Sequence, residues 1–432
     1  MTSSFIKRIF CYIVFGVLLF SLLFLRSWHL FGPISWRNFS AILLFFIALI
    51  FAKKNIIKDM CIKCYILWLL IYLFVNAITG YITTEHIYKN LVGYHFVSLM
   101  LLFSLPRLIK EKEQLQIIVF LFGIFYLVNA LVTIFQFFNN HLAWEIGNYI
   151  SPMNIEKAER MESLAASSDN MLSYSICSGL NGFVVTNGQF IACFVPIVTF
   201  FALRAEFKYK LLSILVLSGV IFTSICVQQR MCFFVTLLYC VILLYYCTGS
   251  IKKIIPIAFM GIVLAGLLNV DSINLEDFGR LFDFTDNHRT HIKEYLSQFL
   301  SNTEYVLLGH CTVSDAVNNE LFLTLGHNSL LDSLRRGGIL CFAIYIYLII
   351  IIIVKCYHII KEAIMNRNII TVGLGTIVIL NLIYSFTHSD GIPSGSVFFW
   401  GTYALMMSSC YIDKQKNIIK NKRYAKPIQK TH

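Results

Sequence analysis

Charged side chains are scarce in this sequence. They make up 13% of 432 residues, against about 25% in a soluble domain. Hydrophobic residues reach 58% and the mean hydropathy is +0.72. That balance excludes an ordinary soluble enzyme, a disordered regulator and a nucleic-acid-binding domain. With only 7 prolines and 23 glycines, low-complexity and collagen-like architectures are excluded too. No glycine-rich loop ending in Lys-Ser or Lys-Thr is present, so nothing cradles a nucleoside triphosphate. Cys61 and Cys64 form a CxxC without a second, suitably spaced ligand pair, which leaves no zinc or redox motif. The remaining cysteines sit mostly in apolar runs, where Cys packs as a small hydrophobe. No small-residue cleavage site follows the apolar run Phe10–Leu25, so it is read as a membrane span rather than a removable signal.

What is there is a series of long apolar runs. A spanning helix needs about 20 mostly apolar residues to cross about 30 Å of hydrocarbon. Twelve runs approach this: Phe10–Leu25, Asn38–Ala52, Cys64–Thr79, Leu91–Leu105, Leu115–Phe138, Phe183–Leu203, Leu211–Val227, Met231–Thr248, Ile254–Asn269, Gly338–Val354, Ile369–Ser385 and Ser396–Ile412. With the amino terminus inside, the cytoplasmic segments hold 24 of the 35 Lys and Arg but only 6 of the 23 acids. That asymmetry follows the positive-inside rule and also accounts for the net charge of +12. The expectation is an all-α integral membrane protein of about twelve spans, one polytopic domain over 1–432, with both termini cytoplasmic. Residues 139–181 form a first long exported loop, 270–328 a second and larger one, and 413–432 a basic cytoplasmic tail. Two long loops on one face point to chemistry or recognition there, or to a lid or assembly surface.

Several residues at that face could do chemistry. His327 and Asn328 end the second loop and precede Leu330, Leu331, Leu334, Arg335, Arg336, Gly337 and Gly338. In a helix, Leu331 and Leu334 share a face with His327, so this segment can dock on the bundle. Arg335 and Arg336 stand just outside a span, against the positive-inside trend. They either anchor the helix to lipid phosphates or contact a substrate phosphate. Arg230 lies in the short turn Gln228-Gln229-Arg230, where a guanidinium needs an anion or a cavity and offers a bidentate fork for phosphate. Arg280 and Arg289 lie in the large loop and are either substrate contacts or solvated charges. Asp283, Asp286, His288 and His291 could hold a hard cation, but such residues are common in polar loops and no metal is assigned. Phe282, Phe284 and Tyr295 either stack on sugars or form the loop's own small core. His95, Asn129 and Asn381, polar residues within spans, are expected to bond between helices.

The pattern His327-Asn328, nine residues, then Gly338 resembles the motif of the O-antigen ligase and polymerase superfamily, the Wzy/WaaL group. Arg230 is similar to that family's arginine in a short exported turn, and Arg289 to its arginine early in the large loop. The stretch from Gly182 and Phe183 through Asn187 to Ala192 resembles the family's start of a mid-chain span. The topology is similar over nearly the whole chain. Cys341, Gln229 and the residue after Arg289 depart from the family's usual Gly, Thr or Tyr, its Ser and its Trp.

The resemblance implies a GT-C-like membrane glycosyltransferase without metal or cofactor, acting at the periplasmic face of a bacterial inner membrane. Such proteins transfer a glycan from undecaprenyl diphosphate to a sugar hydroxyl, in lipopolysaccharide biosynthesis. His327 would be the general base. Arg230 and then Arg289 would hold the diphosphate, with Asn328, Arg280, Arg335 and Arg336 as further substrate contacts. The stretch His327-Asn328-Ser329-Leu330-Leu331 and the divergent loop resemble polymerases more than ligases. Expected partners are the lipid-linked donor and acceptor, the bilayer, a chain-length regulator and a flippase, with no nucleic acid. The alternatives are a ligase acting on the lipid A core and a lipid-linked oligosaccharide flippase or other transporter.

Overall fold

The computed structural model describes residues 2–25, 28–31, 34–50, 59–80, 91–138, 140–151, 177–181, 186–193, 219–227, 229–248, 292–310, 328–366, 368–386 and 391–424. The helices over these residues are α1 (Thr2–Phe24), α2 (Trp36–Ile50), α3 (Met60–Thr79), α4 (Val97–Leu108), α5 (Lys112–Phe137), α6 (His141–Ile150), α7 (Arg230–Thr248), α8 (Ile292–Ser301), α9 (Thr303–Leu308), α10 (Ser329–Met365), α11 (Ile369–Ser385) and α12 (Val397–Tyr424). A π-turn, Leu91–Phe96, leads into α4. Residues 186–193 and 219–226 are also helical. Met60–Thr79, Leu91–Leu108, Lys112–Phe137 and Ser329–Met365 are long and apolar enough to cross a membrane, and shorter apolar helices accompany them. Large apolar side chains such as Val17, Phe46, Phe74, Leu131 and Ile350 face outward. The architecture fits an all-α membrane protein.

Short polar side chains set the helix starts, as capping physics dictates. Asp59 accepts from Cys61 N at the start of α3, Asn140 from Ala143 N at α6, Asn302 from Glu304 N at α9 and Asn368 from Thr371 N at α11. Glu111 and Gln114 form a reciprocal capping box on α5. Gly80 ends α3 in the left-handed region, φ +64°, donating to the Asn76 carbonyl.

Three features differ from the expected layout. The short connection after α1 carries a two-stranded antiparallel hairpin, β1 (His29–Phe31) with β2 (Ile34–Ser35). The first long loop contains α6, whose Tyr149 and Ile150 carbonyls accept from Trp28 Nε1 at 3.2 and 2.9 Å. The second long loop contains α8 and α9. The expected span Ile254–Asn269 lies outside the described residues, and α12 runs past Ile412 to Tyr424 into the predicted tail.

The packed helices are apolar on inward and outward faces alike. α4 lies on α2 and α12, α10 on α3 and α11, and α1 on α5 and α2. Trp68, Trp400, Tyr65 and Tyr72 are buried at the centre. Tyr65 and Trp400 rings lie 4.4 Å apart, and Trp68 stacks on Tyr72 at 5.6 Å. His95 sits among them, with Tyr65 Oη 2.8 Å from its Nδ1. In lipid, apolar burial does not drive helix association, so close packing and interhelical bonds, about 0.6 kcal/mol each, hold the bundle. Asn129 Nδ2 donates to Asn187 Oδ1 at 2.7 Å, and Gln189 Nε2 to Asn381 Oδ1 at 2.9 Å. His95, Asn129 and Asn381 thus all bond between chain segments. Cys61 and Cys64 are buried and unbridged.

The connections sort to two ends. At one end, Ser151 Oγ donates to the Phe24 carbonyl, Arg37 to the Gly93 carbonyl and Asn76 Nδ2 to the Arg336 carbonyl. At the other, Lys355 Nζ pairs with Asp59 and bonds Tyr403 Oη, and Asn368 bonds Asp413. Among the described residues, the junctions expected on one side of the bilayer therefore gather together.

Candidate functional site

The site is built on the last turn of α11. Tyr384, at that turn, donates its hydroxyl to Gln229 Oε1 at 2.5 Å. Gln229 is the residue before Arg230, which opens α7. One residue on, Ser385 Oγ lies 3.1 Å from Ser329 Oγ. Asn328 Nδ2 donates to the Phe386 carbonyl at 2.8 Å. Three consecutive residues of α11 and its C-cap thus hold the start of α7 and the start of α10. Gly188 packs against Gln229 and Tyr384, where a Cβ would overlap the Gln229 carboxamide.

Asn328 also caps α10, its Oδ1 accepting from Leu330 N at 2.9 Å and Leu331 N at 3.3 Å. One carboxamide therefore starts the helix and ties it to α11. The first two turns end at Gly337 and Gly338, whose dihedrals are non-helical, so α10 is two helices joined at a kink. Gly338 has φ +66°, and a Cβ there would lie inside the Leu307 carbonyl. Glycine is required on both counts. The chain that crosses the kink is the end of α9: Gly309, φ +77°, abuts the Arg335 carbonyl and the Gly337 and Gly338 amides.

The short helix before the kink is held on all sides. Asp332 is buried and accepts from Arg335 Nη2 at 2.7 Å and Arg336 Nε at 2.8 Å. The two arginine side chains are only 12% and 13% exposed. Arg336 also lies over the Tyr72 ring at 5.9 Å. Ser333 Oγ accepts from Trp68 Nε1 at 2.8 Å and donates to the Cys341 carbonyl at 3.1 Å. Leu331 and Leu334 pack with Phe299, Leu296 and Tyr305 of α8 and α9, so this face meets the loop's own helices and not the bundle, where docking was expected. His310 N donates to the Arg335 carbonyl at 2.8 Å, and its ring stacks on Tyr305 at 4.0 Å.

A second polar cluster stands beside this one. Asn187 Nδ2 donates to Thr133 Oγ1 at 3.1 Å and to the Cys177 carbonyl at 2.9 Å. Asn129 Oδ1 accepts from Leu180 N at 2.8 Å, and Gln136 Oε1 from Gly179 N at 2.8 Å. These carboxamides fold residues 177–181 down onto α5, which gives Asn187, within the family-like stretch, a structural task.

Of the sequence-predicted site residues, Asn328, Arg335 and Arg336 are described with their side chains, and Arg230 by its backbone. The structure brings Asn328 and the Gln229–Arg230 junction to the same turn of α11. It ties Arg335 and Arg336 to Asp332. His327, Arg280 and Arg289 lie outside the described residues, as do Asp283, Asp286, His288 and His291. Asp332, Tyr384, Trp68 and Asn76 are parts of the site that sequence reasoning missed. Asp332 had a signal: its i+3 and i+4 spacing to Arg335 and Arg336 puts all three on one helix face. No protein-family model matches this chain, and a search of curated proteins finds no match.

Proposed function

We propose that the chain is an O-antigen polymerase, joining undecaprenyl-diphosphate-linked oligosaccharide repeats at the periplasmic face of a bacterial inner membrane. The observation that carries this reading is the shared anchor on α11: Gln229, beside Arg230, bonds Tyr384, and Asn328, beside His327, bonds Phe386. The two family-like motifs are far apart in sequence, and their described flanks meet at one end of the bundle. The motif glycine, Gly338, also has a steric reason to be glycine.

In this reading the acceptor sugar hydroxyl attacks the anomeric carbon of the donor glycan. The bond from that carbon to the diphosphate oxygen breaks, and undecaprenyl diphosphate leaves with the electron pair. His327 takes the hydroxyl proton as the new bond forms, worth about 10²–10⁴-fold in rate. Arg230, with Arg289 second, holds the diphosphate and stabilises the charge on the departing oxygens. Asn328 fixes the backbone beside His327. Arg335 and Arg336, engaged by Asp332, hold the short helix against the kink.

Deleting the gene in its native host and resolving surface polysaccharide on a gel tests the reading. The expected outcome is single-repeat caps in place of long chains, restored by the wild-type gene and not by His327→Ala or Arg230→Ala at equal expression. Loss of every capped species, with glycan accumulating on its lipid carrier, would instead identify a ligase. Long chains from either variant would remove that residue from the mechanism.

A further inference from the structure

The first long loop opens with α6, a helix of ten residues. At 1.5 Å per residue it is about 15 Å long, half of what a span needs. Its sequence divides into three sectors. Ala143 and Gly147, one turn apart, are buried. Leu142, Ile146 and Tyr149 share a second face and are 62%, 38% and 72% exposed. His141, Glu145 and Asn148 form a third, exposed and polar, with His141 Nδ1 3.4 Å from Glu145 Oε1.

The buried sector fixes where the other two point. Gln136 Nε2 of α5 donates to the Ala143 carbonyl at 3.2 Å. A Cβ on Gly147 would lie 2.6 Å from that nitrogen and 2.7 Å from the Gly179 carbonyl, so the backbone approaches both directly. Before the helix, Asn140 N donates to the Phe135 carbonyl at 3.0 Å. After it, Ser151 Oγ donates to the Phe24 carbonyl at 2.8 Å. Trp28 bonds the last carbonyls of α6, and its ring meets the Tyr149 ring edge-on at 5.4 Å. The helix is thus fastened to α5, to the end of α1 and to the hairpin segment, and Leu142, Ile146 and Tyr149 face away from all three.

That outward face is continuous in kind with the flank of α5, where Leu131 and Phe135 are 54% and 52% exposed and Phe138, at its end, 65%. A short helix with one apolar and one polar exposed face suits the boundary between headgroups and acyl chains, and a Trp–Tyr pair suits the same level. Three side chains alone fall short of the about 800 Å² per partner of a stable protein interface. α6 carries no Lys or Arg, so nothing in it selects anionic lipid.

We propose that α6 lies in the membrane–water interface, with Leu142, Ile146 and Tyr149 in the upper acyl chains of zwitterionic phospholipid and His141 and Glu145 among the headgroups. Apolar burial and not charge holds it there. The proposal rests on the membrane reading of the chain and is independent of glycan transfer. The first long loop then begins along the lipid surface instead of rising into solvent.

Depth-dependent quenching of the full chain in phosphatidylcholine vesicles tests this. Leu142→Cys, Ile146→Cys, Tyr149→Cys, His141→Cys and Glu145→Cys each carry a bimane label, and the unsubstituted chain gives the labelling background. All five positions are exposed, so the variants are expected to fold. Opposite faces of a helix lie about 10 Å apart, so quenching by nitroxide on the upper acyl chain is expected to fall severalfold from Ile146→Cys to His141→Cys. Aqueous iodide is expected to give the reverse order. Adding phosphatidylglycerol leaves the pattern unchanged, and a pattern that needs it would overturn the apolar assignment. Iodide reaching all five positions alike would make α6 a solvated loop helix. Protection of the apolar face only at high protein-to-lipid ratio would give that face to a second copy. Either result overturns the proposal. Leu131→Cys, in the span before α6, is quenched by lipid nitroxide in every case unless the membrane reading itself fails, which would overturn both.

Discussion

Gly338 carries two constraints that no other residue type meets: a left-handed φ and a backbone carbonyl where its Cβ would be. Strain at such a position costs about 1–3 kcal/mol before any clash is counted. Gly338→Ala is therefore expected to lower the thermal midpoint of the detergent-solubilised protein, measured by tryptophan fluorescence. Gly93, whose Cβ would meet open space, tolerates the same change. Asp332 presents the electrostatic counterpart. Two guanidiniums converge on one buried carboxylate, and removing one partner from a buried pair costs about 3–5 kcal/mol. Asp332→Ala should also lower the midpoint in the same assay, and an unchanged midpoint would show that other groups carry the arginines.

Among elements, α10 illustrates how far pattern reading reaches. Its membrane part was legible because a run of isoleucines and leucines leaves no other solution, and its start at Gly338 was legible because apolar patterning ends there. The bounds of α11 coincide with the apolar run Ile369–Ser385 for the same reason. The helix preceding the kink was legible only as a conditional, since polar and apolar residues share it. α6 was not, because ten residues between polar flanks read as loop until Trp28 is seen to hold them. The bond from Tyr384 to Gln229 has no sequence signal at all, since the two residues are 155 apart and only topology joins them. Asn328 gives an element-scale test. Asn328→Ala should cost about 1 kcal/mol of stability through the lost cap, while Asn328→Ser keeps the cap and loses the reach to Phe386. Hydrogen exchange over residues 329–336 should rise for Ala above Ser, and equal protection would place the stabilisation in the Phe386 contact instead.

For the whole molecule, the charge asymmetry predicts which connections share a face. Lys and Arg fall on alternate connections, and the described junctions separate to two ends accordingly. Fusions of alkaline phosphatase after Asn140 and after Lys110 should be active and inactive respectively in a bacterial host, and the reverse order would invert the assignment of faces. The span count beyond the described helices rests on apolar runs alone, because length and composition define a run without fixing its neighbours.

The common mooring on α11 has a mechanical consequence. Two strands of the chain fastened to successive residues of one helical turn ride with that turn. A displacement of that turn is therefore expected to carry both together and to leave the gap between them little changed.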